Sequence, residues 1–454
     1  MSESLDSALM QALLGRSDPI DPDSSNVAVI GCGYVGLTTA VCLASLGHHV
    51  GCIDTDAGLI NQLARGMCAA EEPHLRDLLQ KSLQHNAIRF STDSTVLAAA
   101  DIIMICVATP PRRESDRPDV GSVYAALRAV RRHARRGSTV VIKSTVPIRT
   151  AERAQQMLRD RSISVVANPE FLREGHAILD FLQPARIVVG SDDPEATKAV
   201  RALYTGLPCE IVETSPATAE LVKYAANGYL AVRLSFVNAL AEVSARCGAD
   251  IDALLTALGA DPRIGHGYLR PGPGWAGPCL PKDAQALRAQ GFQVGVSLDV
   301  LDAAIKANVH HQQLCVDVLA AALPGGLQGR RVALLGLAFK AGTSDTRGSA
   351  AHTVARSLSD AGAIVTGHDP MAEAAPIGGI TICATAYAAV EAADAVIVLN
   401  DANDYAALDW SRVAATMAGQ IVVDARHCLD RDSVASAGLR WFSAFSAASA
   451  VRSA

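Results

Sequence analysis

The chain has 454 residues, half of them hydrophobic, which favours about three domains with sizeable cores and argues against long disordered regions. Its 40 Lys and Arg residues nearly balance 46 Asp and Glu residues, giving a net charge of -6. This balance argues against nucleic acid or an anionic membrane surface as the main partner, although it allows a local basic pocket for a phosphorylated small molecule.

Residues 1–25 are polar and are expected to form a flexible N-terminal extension. They lack the basic start and apolar run of a secretory signal. No stretch approaches the roughly 18 uninterrupted apolar residues that a membrane span requires. Eleven cysteines are scattered without a C-x-x-C pair or a cluster with histidines, so no metal site is predicted. We therefore expect a cytoplasmic protein with reduced thiols.

The segment 26–54 predicts a β-turn-α-β unit. An apolar strand, Val27 to Ile30, leads directly into the glycine turn GCGYVG, and a helical pattern then leads to a second strand, His49 to Ile53. Glycines at these positions permit a tight turn and a close approach of the backbone to a pyrophosphate, although a glycine turn without a ligand is the alternative. A carboxylate after the second strand would bind ribose hydroxyls and repel the 2′-phosphate of NADP, so NAD is the predicted dinucleotide. Its predicted contacts are Gly31, Gly33, Tyr34, Val35, Gly36 and Asp54.

Two further apolar runs, 101–110 and 138–147, end in polar, turn-forming residues. In a parallel sheet, ligands bind outside the carboxyl ends of the strands. The alternative is that these threonines and prolines only terminate strands. We therefore expect a set of strand-end residues near the dinucleotide, namely Thr109, Pro110, Ser144 and Thr145.

The central segment carries two pairs of polar residues with i,i+4 spacing. If they lie on a helix, Glu170 and Glu174 would share one of its faces, and Lys223 and Asn227 lie in a long helical pattern over 214–250. The apolar neighbours of Lys223 are compatible with partial burial. From the spacing alone, however, a salt-bridged surface lysine is the favoured alternative.

The segment GWAGPCLPKDAQAL, residues 274–287, places Cys279 in a turn rich in glycine and proline, with Lys282 and Asp283 close behind. A structural cysteine needs only an apolar environment. A nucleophilic cysteine needs access and a nearby positive charge that favours the thiolate. The turn alone leaves both interpretations open.

The C-terminal third repeats the first pattern. Residues 329–370 predict strand, glycine turn, helix, strand and terminal acid, and further strands follow at 394–400 and 420–426. We therefore predict an α/β fold with two doubly wound, Rossmann-like domains joined by a central segment of long helices. The NAD-binding, central helical and C-terminal nucleotide-binding domains are expected at 26–213, 214–323 and 324–454.

Ten short motifs together resemble the nucleotide-sugar 6-dehydrogenase family, which includes the UDP-glucose and GDP-mannose dehydrogenases. From about residue 26 to 430, they are GCGYVGL, VATP, KSTVP, NPEFLREG, AELVKYAAN, SFVNALAEV, DPRIG, GPCLPKD, GLAFKAGTSDTR and VDAR. The glutamate loop, the lysine helix and the cysteine turn make the resemblance specific.

The resemblance implies a four-electron oxidation of UDP-glucose at C6 by two molecules of NAD⁺, giving UDP-glucuronate. By the same resemblance, Cys279 is the nucleophile that forms a thiohemiacetal and then a thioester. Asp283 acts with an ordered water as a general base. Lys223 and Asn227 stabilise the developing oxyanion.

Further roles follow from the resemblance. Glu170 and Thr145 would guide the hydrolytic water, and Glu174 would lie near the nicotinamide. Lys282 and Arg347 would contribute to the NAD site. The implied contacts of the nucleotide sugar are Phe171, Leu172, Arg173, Glu174, Lys223, Asn227, Arg263, Tyr268, Leu269, Gly272, Gly274, Lys340 and Arg426.

The resemblance also implies a homodimer or a higher homo-oligomer, with Arg263 supplied by a neighbouring subunit. The exact sugar and base stay open, because Leu280 stands where the family usually has an aromatic residue and Pro278 stands where serine is usual. The same reaction on GDP-mannose or dTDP-glucose is therefore an alternative, while UDP-N-acetylhexosamine is disfavoured. A non-catalytic nucleotide-sugar binding protein is disfavoured because binding alone needs no thiol.

Overall fold

The computed structural model describes residues 24–112, 115–372 and 378–446. The expected N-terminal extension therefore lies, up to residue 23, outside the described residues. The chain forms two compact units, one reaching Ala225 and one starting at Ala226. None of the helices in these ranges combines the length and hydrophobicity needed to cross a bilayer.

The first unit is built on a mostly parallel sheet. The strands of its described part are β1 (Asn26–Ile30), β2 (His49–Ile53), β3 (Ile88–Ser91), β4 (Ile102–Ile105), β5 (Pro111–Arg112), β6 (Ser115–Pro118), β7 (Thr139–Ile142), β8 (Ser164–Ala167), β9 (Arg186–Gly190) and β10 (Glu210–Thr214). Eight of them form one sheet in the order β3-β2-β1-β4-β7-β8-β9-β10, and β5 pairs with β6. The order reverses between β1 and β4, and ligands of doubly wound sheets bind beyond the carboxyl ends of such strands.

The pairing explains the apolar runs seen in the sequence. The six strands β3, β2, β1, β4, β7 and β8 are parallel, and β4 and β7 are buried along their whole length because helices cover both faces of the sheet. The sheet then changes direction, because Ala167 of β8 pairs with Gly190 of the antiparallel strand β9. The predicted doubly wound fold is confirmed, and this antiparallel junction is a feature that the sequence did not indicate.

Helices lie on both faces of this sheet. They are α1 (Tyr34–Ser45), α2 (Ala57–Ala64), α3 (Leu75–Gln84), α4 (Gly121–His133), α5 (Thr150–Leu158), α6 (Ala177–Leu182), α7 (Pro194–Ala202) and the start of α8 (Pro216–Cys247). Asp56 caps α2 and Asp193 caps α7 through their side chains. Helix α1 instead begins after Gly33, and no side-chain cap satisfies its first N–H groups. This is the kind of helix start that binds phosphate groups.

The buried carboxylate of Glu220 fastens the start of α8 to the start of α5. It accepts hydrogen bonds from the backbone N–H groups of Arg149 at 2.5 Å and Ala151 at 2.7 Å. Arg149 has a left-handed conformation with φ of 70°, which turns the chain into α5. Burial raises the pKa of Glu220 to about 7, although these N–H groups act in the opposite direction.

The second unit contains a second parallel sheet. Its strands, within the described residues, are β11 (Arg331–Leu335), β12 (Ile364–His368), β13 (Ile380–Ile382), β14 (Ala395–Val398), β15 (Ile421–Asp424) and β16 (Arg440–Ser443). They pair in the order β13-β12-β11-β14-β15-β16, and every pair is parallel. This order repeats the arrangement of the first six parallel strands in the first unit, so the prediction of a second doubly wound domain is confirmed.

Helices of very different length lie around this second sheet. After the continuation of α8 come α9 (Ile251–Ala260), α10 (Leu280–Gln293), α11 (Asp299–Ala322), α12 (Ala350–Asp360), α13 (Ala386–Val390), α14 (Asn403–Ala406), α15 (Trp410–Thr416) and α16 (Arg431–Ser436). Val316 and Leu319 of α11 share one apolar core with Val332 and Leu334 of β11. The helical segment therefore packs directly against the second sheet.

The glycine turn after β1 generates a test of packing. A Cβ atom on Gly36 would lie 1.8 Å from the carbonyl oxygen of Gly31, whereas a Cβ atom on Gly33 would meet nothing within 4 Å. We expect Gly36→Ala to lower the free energy of unfolding by about 3 kcal/mol or more, because backbone must move. Gly33→Ala is the matched control, and we expect it to cost less than about 1 kcal/mol. Thermal unfolding followed by circular dichroism checks the pair, and equal melting temperatures would contradict the expectation.

The raised pKa of Glu220 predicts a specific pH dependence. Glutamate in an unfolded chain ionises near pH 4.5, whereas Glu220 ionises near pH 7 in the folded protein. Its contribution to stability is therefore fully present below about pH 4.5 and falls by about 3 kcal/mol as the pH rises through 7. The wild type and Glu220→Gln are unfolded with urea at a series of pH values. The urea midpoint of the wild type, relative to that of the variant, should fall as the pH rises from about 4.5 through 7. A flat or rising difference would contradict the prediction.

Candidate functional site

The glycine turn after β1 has the geometry of a phosphate-binding loop. Gly31 has φ of 96°, and its N–H donates to the carbonyl of Ile53 at 2.8 Å, so the turn is fixed to the end of β2. Gly36 packs against the backbone of Gly31, which lets α1 start close to the sheet. The space around Gly33 is open. These three glycines therefore have the distinct roles that dinucleotide binding requires.

Asp54 stands at the end of β2, where the sequence predicts a ribose contact. One carboxylate oxygen accepts from the N–H of Cys32 at 2.7 Å, and the other accepts from the N–H of Asp56 at 3.0 Å. The carboxylate is only partly buried, and each of its oxygens has a second lone pair. The turn and this acid together fit a bound NAD.

The carboxyl ends of β4 and β7 come together, as predicted. The hydroxyl of Thr109 donates to the carbonyl of Thr145 at 2.8 Å, and the hydroxyl of Ser144 donates to the carbonyl of Val107 at 2.7 Å. Thr109 and Ser144 thus do more than terminate strands, because their hydroxyls fasten two loops at the edge of the sheet next to the glycine turn.

Residues 168–176 form a loop between β8 and α6, so Glu170 and Glu174 do not share the face of a helix. Asn168, Pro169 and the turn before Ala177 interrupt the helical pattern. The loop instead brings Glu170 to Lys223, with 2.9 Å between carboxylate and ammonium and about a tenth or less of each side chain exposed. Lys223 is therefore salt-bridged, as the alternative reading held, but it is buried rather than on the surface.

The charges of the Glu170 and Lys223 pair stabilise each other. Burial alone would raise the pKa of Glu170, but the positive charge and hydrogen bond of Lys223 outweigh it and lower the pKa. Glu170 also accepts from the backbone N–H of Leu172 at 2.6 Å. A carboxylate that remains ionised in a buried position can orient a water molecule or an ammonium group.

The neighbours of Glu170 in the loop have different environments. The ring of Phe171 lies 3.8 Å from the guanidinium carbon of Arg186 and 5.7 Å from the ammonium of Lys223. Arg173 forms a bidentate ion pair with Asp180, at 2.9 and 2.6 Å. The predicted substrate contact Arg173 thus also holds the loop to the first turns of α6.

In the second unit, Cys279 is exposed and stands at the N-terminal end of α10. A helix N-terminus stabilises negative charge, which is the environment of reactive thiols. The preceding turn is tightly packed, since a Cβ atom on Gly277 would lie 2.6 Å from the Phe339 ring. The N–H of Gly277 donates to the carbonyl of Gly348 at 2.9 Å. The cysteine turn is therefore fixed against the loop that follows β11.

Three predicted site residues form one network in the first turns of α10 and in α8. The amide of Asn227 donates to Asp283 at 2.6 Å, and the ammonium of Lys282 donates to the other oxygen of the same carboxylate. Asp283 is 1% exposed. Lys223 precedes Asn227 by one turn of α8. The carboxylate thus sets the position of both the amide and the ammonium.

The predicted sugar-diphosphate loop is held by amides from two helices. The N–H of Gly272 donates to Asn238 of α8 at 2.9 Å, and Asn308 of α11 binds both the N–H and the carbonyl of Trp275, at 2.7 and 2.9 Å. A Cβ atom on Gly272 would lie 2.7 Å from the guanidinium of Arg426. Two predicted substrate contacts from distant parts of the sequence therefore come together.

Other predicted substrate contacts have local partners. Leu269 is buried in the core with Val237 and Leu255, so only its backbone could face a ligand. Tyr268 is exposed with φ of 57°, and Gly274 also has a positive φ, of 98°. These angles turn the chain sharply on both sides of Gly272.

Three predicted cationic contacts lie beside groups of their own segments. Arg263 pairs with Asp261 and Arg347 pairs with Asp345, each at 2.6 Å. The ammonium of Lys340 lies 5.8 Å from the centre of the Phe339 ring. Their expected contacts with NAD, the nucleotide or a neighbouring subunit stay predictions.

Sequence reasoning missed several polar residues that hold these segments in place. Lys143 is buried after β7, where its ammonium donates to Asn168 at 3.2 Å, and its charge helps to lower the pKa of Glu170. Asn238 and Asn308 lie in helical patterns that show no sign of a loop partner. Glu72 is buried although it lies in a polar stretch. Only the position of Lys143 directly after a buried strand gave a signal.

A surface cleft of about 500 Å³ lies at the edge of the first sheet, and none of the predicted site residues lines it. Its walls include the exposed ion pair of Arg201 and Glu213. Within the described residues, no three His, Cys, Asp or Glu side chains cluster as metal ligands. Predicted site residues lie on the glycine turn and the loop 168–176 of the first unit, and on the cysteine turn of the second unit.

Comparisons with known proteins agree with this geometry. Residues 25–208, 217–310 and 333–431 match, respectively, the NAD binding domain, the central domain and the UDP binding domain of the UDP-glucose/GDP-mannose dehydrogenase family. The chain is 37% identical over 431 residues to a UDP-glucose 6-dehydrogenase of Rhizobium meliloti, covering 92% of this chain and 98% of that protein. A Bacillus subtilis protein of the same name is 35% identical over 428 residues, covering 92% and 97%.

A solved structure gives the same result. The UDP-glucose dehydrogenase of the hyperthermophilic archaeon Pyrobaculum islandicum superposes with a TM-score of 0.84 at 35% identity, covering 89% of this chain and 95% of that one. The fold, the NAD-binding domain and the UDP-binding domain are thus shared along nearly the whole length. The chain therefore belongs to the UDP-glucose/GDP-mannose dehydrogenase family and is an NAD-dependent nucleotide-sugar dehydrogenase.

Proposed function

We propose that the protein oxidises UDP-glucose to UDP-glucuronate in two successive NAD-dependent steps, through a thioester on Cys279. The observation that carries the proposal is an exposed thiol at the start of α10, directly followed by the buried network of Asn227, Lys282 and Asp283. The names of the relatives that are 35–37% identical support UDP-glucose as the substrate.

NAD, when bound, accepts one hydride in each of the two oxidations. The chain supplies the binding surface, the proton acceptor and the nucleophile. Open space at Gly33, the uncapped start of α1 and the partly exposed Asp54 support its binding at the first sheet. The residues proposed to hold it are Gly31, Gly33, Tyr34, Val35, Gly36, Asp54, Thr109, Pro110, Thr145, Glu174, Lys282 and Arg347.

In the first oxidation, C6 of the sugar loses a hydride and its hydroxyl loses a proton. We assign proton removal to Asp283 acting through a water molecule, since this carboxylate lies one turn after Cys279, and its backbone N–H donates to the carbonyl of Cys279 at 2.9 Å. Lys223 and Asn227, one turn apart on α8, stabilise negative charge on the oxygen. A donor of this kind contributes roughly two to three orders of magnitude in rate.

In the second stage, the Cys279 thiolate adds to the aldehyde carbon and forms a thiohemiacetal. Loss of the second hydride and of the hydroxyl proton converts this adduct into a thioester. Water then breaks the carbon–sulfur bond, releasing the carboxylate and the thiol, so that four electrons leave the sugar in all. The covalent adduct keeps the aldehyde from escaping. We assign orientation of the water to Glu170 and Thr145.

The nucleotide sugar is proposed to bind along the loop 268–274 and the second sheet. The close approach of Gly272 to Arg426 supports this, because a glycine lets a diphosphate come near both backbone and guanidinium. Lys340 is the further cation proposed at this end. Phe171, Leu172 and Arg173 are the proposed contacts from the loop 168–176.

We also propose the division into domains at 26–213, 214–323 and 324–454, a cytoplasmic location, and assembly into a homodimer or a larger homo-oligomer. The side chains of Tyr229, Phe236 and Val243, spaced by seven residues along α8, support assembly because each is at least 60% exposed. Exposed apolar stripes of this kind are typical of interfaces between subunits.

The first test is the stoichiometry of the reaction. Purified protein with excess NAD⁺ should form two NADH and one uronic acid per UDP-glucose. The value of kcat/KM for GDP-mannose, dTDP-glucose and UDP-N-acetylglucosamine should be at least about a hundredfold lower than for UDP-glucose. Absorbance at 340 nm and mass spectrometry of the product check this. One NADH per sugar, or preference for a GDP-sugar, would exclude the proposed substrate or the proposed four-electron course.

The second test concerns the thiol. Cys279→Ser should lower the rate of acid formation at least about a hundredfold, because a serine hydroxyl is a much weaker nucleophile than a thiolate. The affinity for NAD⁺ should change by less than about threefold. Cys247→Ser, at another exposed cysteine, is the matched control and should keep full activity. Unchanged turnover in Cys279→Ser would remove the cysteine from the mechanism.

A further inference from the structure

The side chain of Glu72 is buried between two segments of the first unit that the reaction uses. It lies in the stretch between α2 and α3 and is 6% exposed. Tyr34, the first residue of α1, donates its hydroxyl to one carboxylate oxygen. The other contacts of this carboxylate are with the end of the loop 168–176.

Backbone N–H groups at the end of that loop converge on Glu72. Gly175 donates to the oxygen that also binds Tyr34, at 2.7 Å, and Ala177 donates to the second oxygen at 2.7 Å. The same N–H of Gly175 lies 3.2 Å from the Tyr34 hydroxyl oxygen. Gly175 has φ of 78°, a conformation that orients its N–H toward the carboxylate without the strain that a side chain would add. One carboxylate therefore joins the glycine turn to the loop.

The hydroxyl of Tyr34 serves as a donor and the carboxylate of Glu72 as an acceptor, as this connection requires. Burial raises the pKa of the Tyr34 hydroxyl, and its hydrogen bond to Glu72 raises it further, so the hydroxyl stays a donor at any physiological pH. An ionised carboxylate has only acceptors, and the surrounding groups named above are all donors. A glutamine at position 72 would turn an NH₂ group toward one of these donors.

We propose that Glu72 is a positioning residue, which holds the loop 168–176 in one arrangement with the NAD-binding glycine turn. Tyr34 follows Gly33 at the start of α1, so occupation of the turn by NAD restrains Tyr34. Glu72 passes this restraint to Gly175 and thereby to the loop that carries Glu170 and Glu174. The assignment rests on the proposed function for the roles of these two glutamates, and on the NAD-binding domain alone for the connection itself.

A conservative substitution of Glu72 tests its hydrogen bonds to Tyr34 and Gly175 without changing how the side chain fills its space in the fold. Glu72→Gln keeps the size of the side chain and removes its charge and one acceptor. Glu71→Gln is the matched control, since the neighbouring glutamate is exposed. Tyr34→Phe removes only the hydroxyl, leaving the bonds between Glu72 and the loop in place.

Hydrogen exchange with and without NAD⁺ reads the connection directly. In the wild type and in Glu71→Gln, NAD⁺ should slow exchange both in peptides covering 31–37 and in peptides covering 170–178. In Glu72→Gln, amides of 170–178 should exchange about tenfold faster without ligand, and NAD⁺ should protect only the glycine turn. In Tyr34→Phe, the loop should exchange as in the wild type without ligand but lose its response to NAD⁺.

Kinetics give an independent measure. For Glu72→Gln we expect kcat to fall about 10- to 100-fold, because misplacement of the loop carboxylates disturbs the reacting geometry. The dissociation constant of NAD⁺ should change by less than about threefold, since the glycine turn itself is intact. Both quantities are taken per folded protein, well below the melting temperature of each variant.

The outcomes distinguish the two proposals. If Glu72→Gln matches Glu71→Gln in kcat and in the exchange of 170–178, the role of Glu72 is overturned, even if its melting temperature is lower. A wild-type protein that oxidises no nucleotide sugar would overturn the proposed function, and the exchange data would still decide on the connection through Glu72. If NAD⁺ no longer protects the loop in both Glu72→Gln and Tyr34→Phe, the connection through Glu72 is supported.

Discussion

A carboxylate removed from water needs hydrogen-bond donors, and this requirement shapes the loops of the molecule. Five acidic side chains in the described residues are buried, and in each case most of the donors are backbone N–H groups of loops or side chains of the candidate site. They are Glu72, Glu220, Asp283, Asp369 and Asp424. Glu72, Glu220, Asp283 and Asp369 therefore fasten segments that the sheets alone would leave separate, whereas Asp424 binds its own loop and the neighbouring strand.

In both parallel sheets, an acidic residue follows the second strand, but its surroundings differ between the two sheets. In each, the acid after the second strand accepts from the N–H groups of the turn after the first strand, Asp54 from Cys32 and Asp369 from Leu337 and Ala338. Asp54 is only partly buried and can also accept from a ribose. Asp369 is buried, and Asn400 donates to it as well. The same strand order thus supports a dinucleotide site in one unit and a purely structural acid in the other.

The cysteine turn combines an exposed thiol with a buried carboxylate. Cys279 is exposed at the start of a helix, while Asp283, one turn further on, is buried and binds Asn227 and Lys282. A reactive group needs access, whereas the groups that orient it need to be held by packing and hydrogen bonds. The cysteine turn, in which Gly277 packs on Phe339, thus presents an exposed thiol and a buried carboxylate within five residues of chain.

The local pattern of the sequence was enough for the elements and for the class of the protein. Apolar runs and glycines predicted the strands β1, β2, β4 and β7 and both doubly wound sheets, because these signals act over a few residues. The motifs also identified the family. The i,i+4 spacing of Glu170 and Glu174 did not decide between a helix and a loop, because spacing says nothing about whether a proline and a turn interrupt the helix.

The sequence by itself determined the two β-turn-α-β units and NAD as the cofactor, since each depends on neighbouring residues, whereas Cys279 was singled out only by the resemblance of ten motifs to a family. Only the tertiary structure decided that Lys223 is buried against Glu170, that Gly272 lies on Arg426, and that Glu72 joins Tyr34 to Gly175. These pairs are far apart along the chain. Their contacts arise from how the sheets and helices pack, and no local preference of the residues encodes that packing.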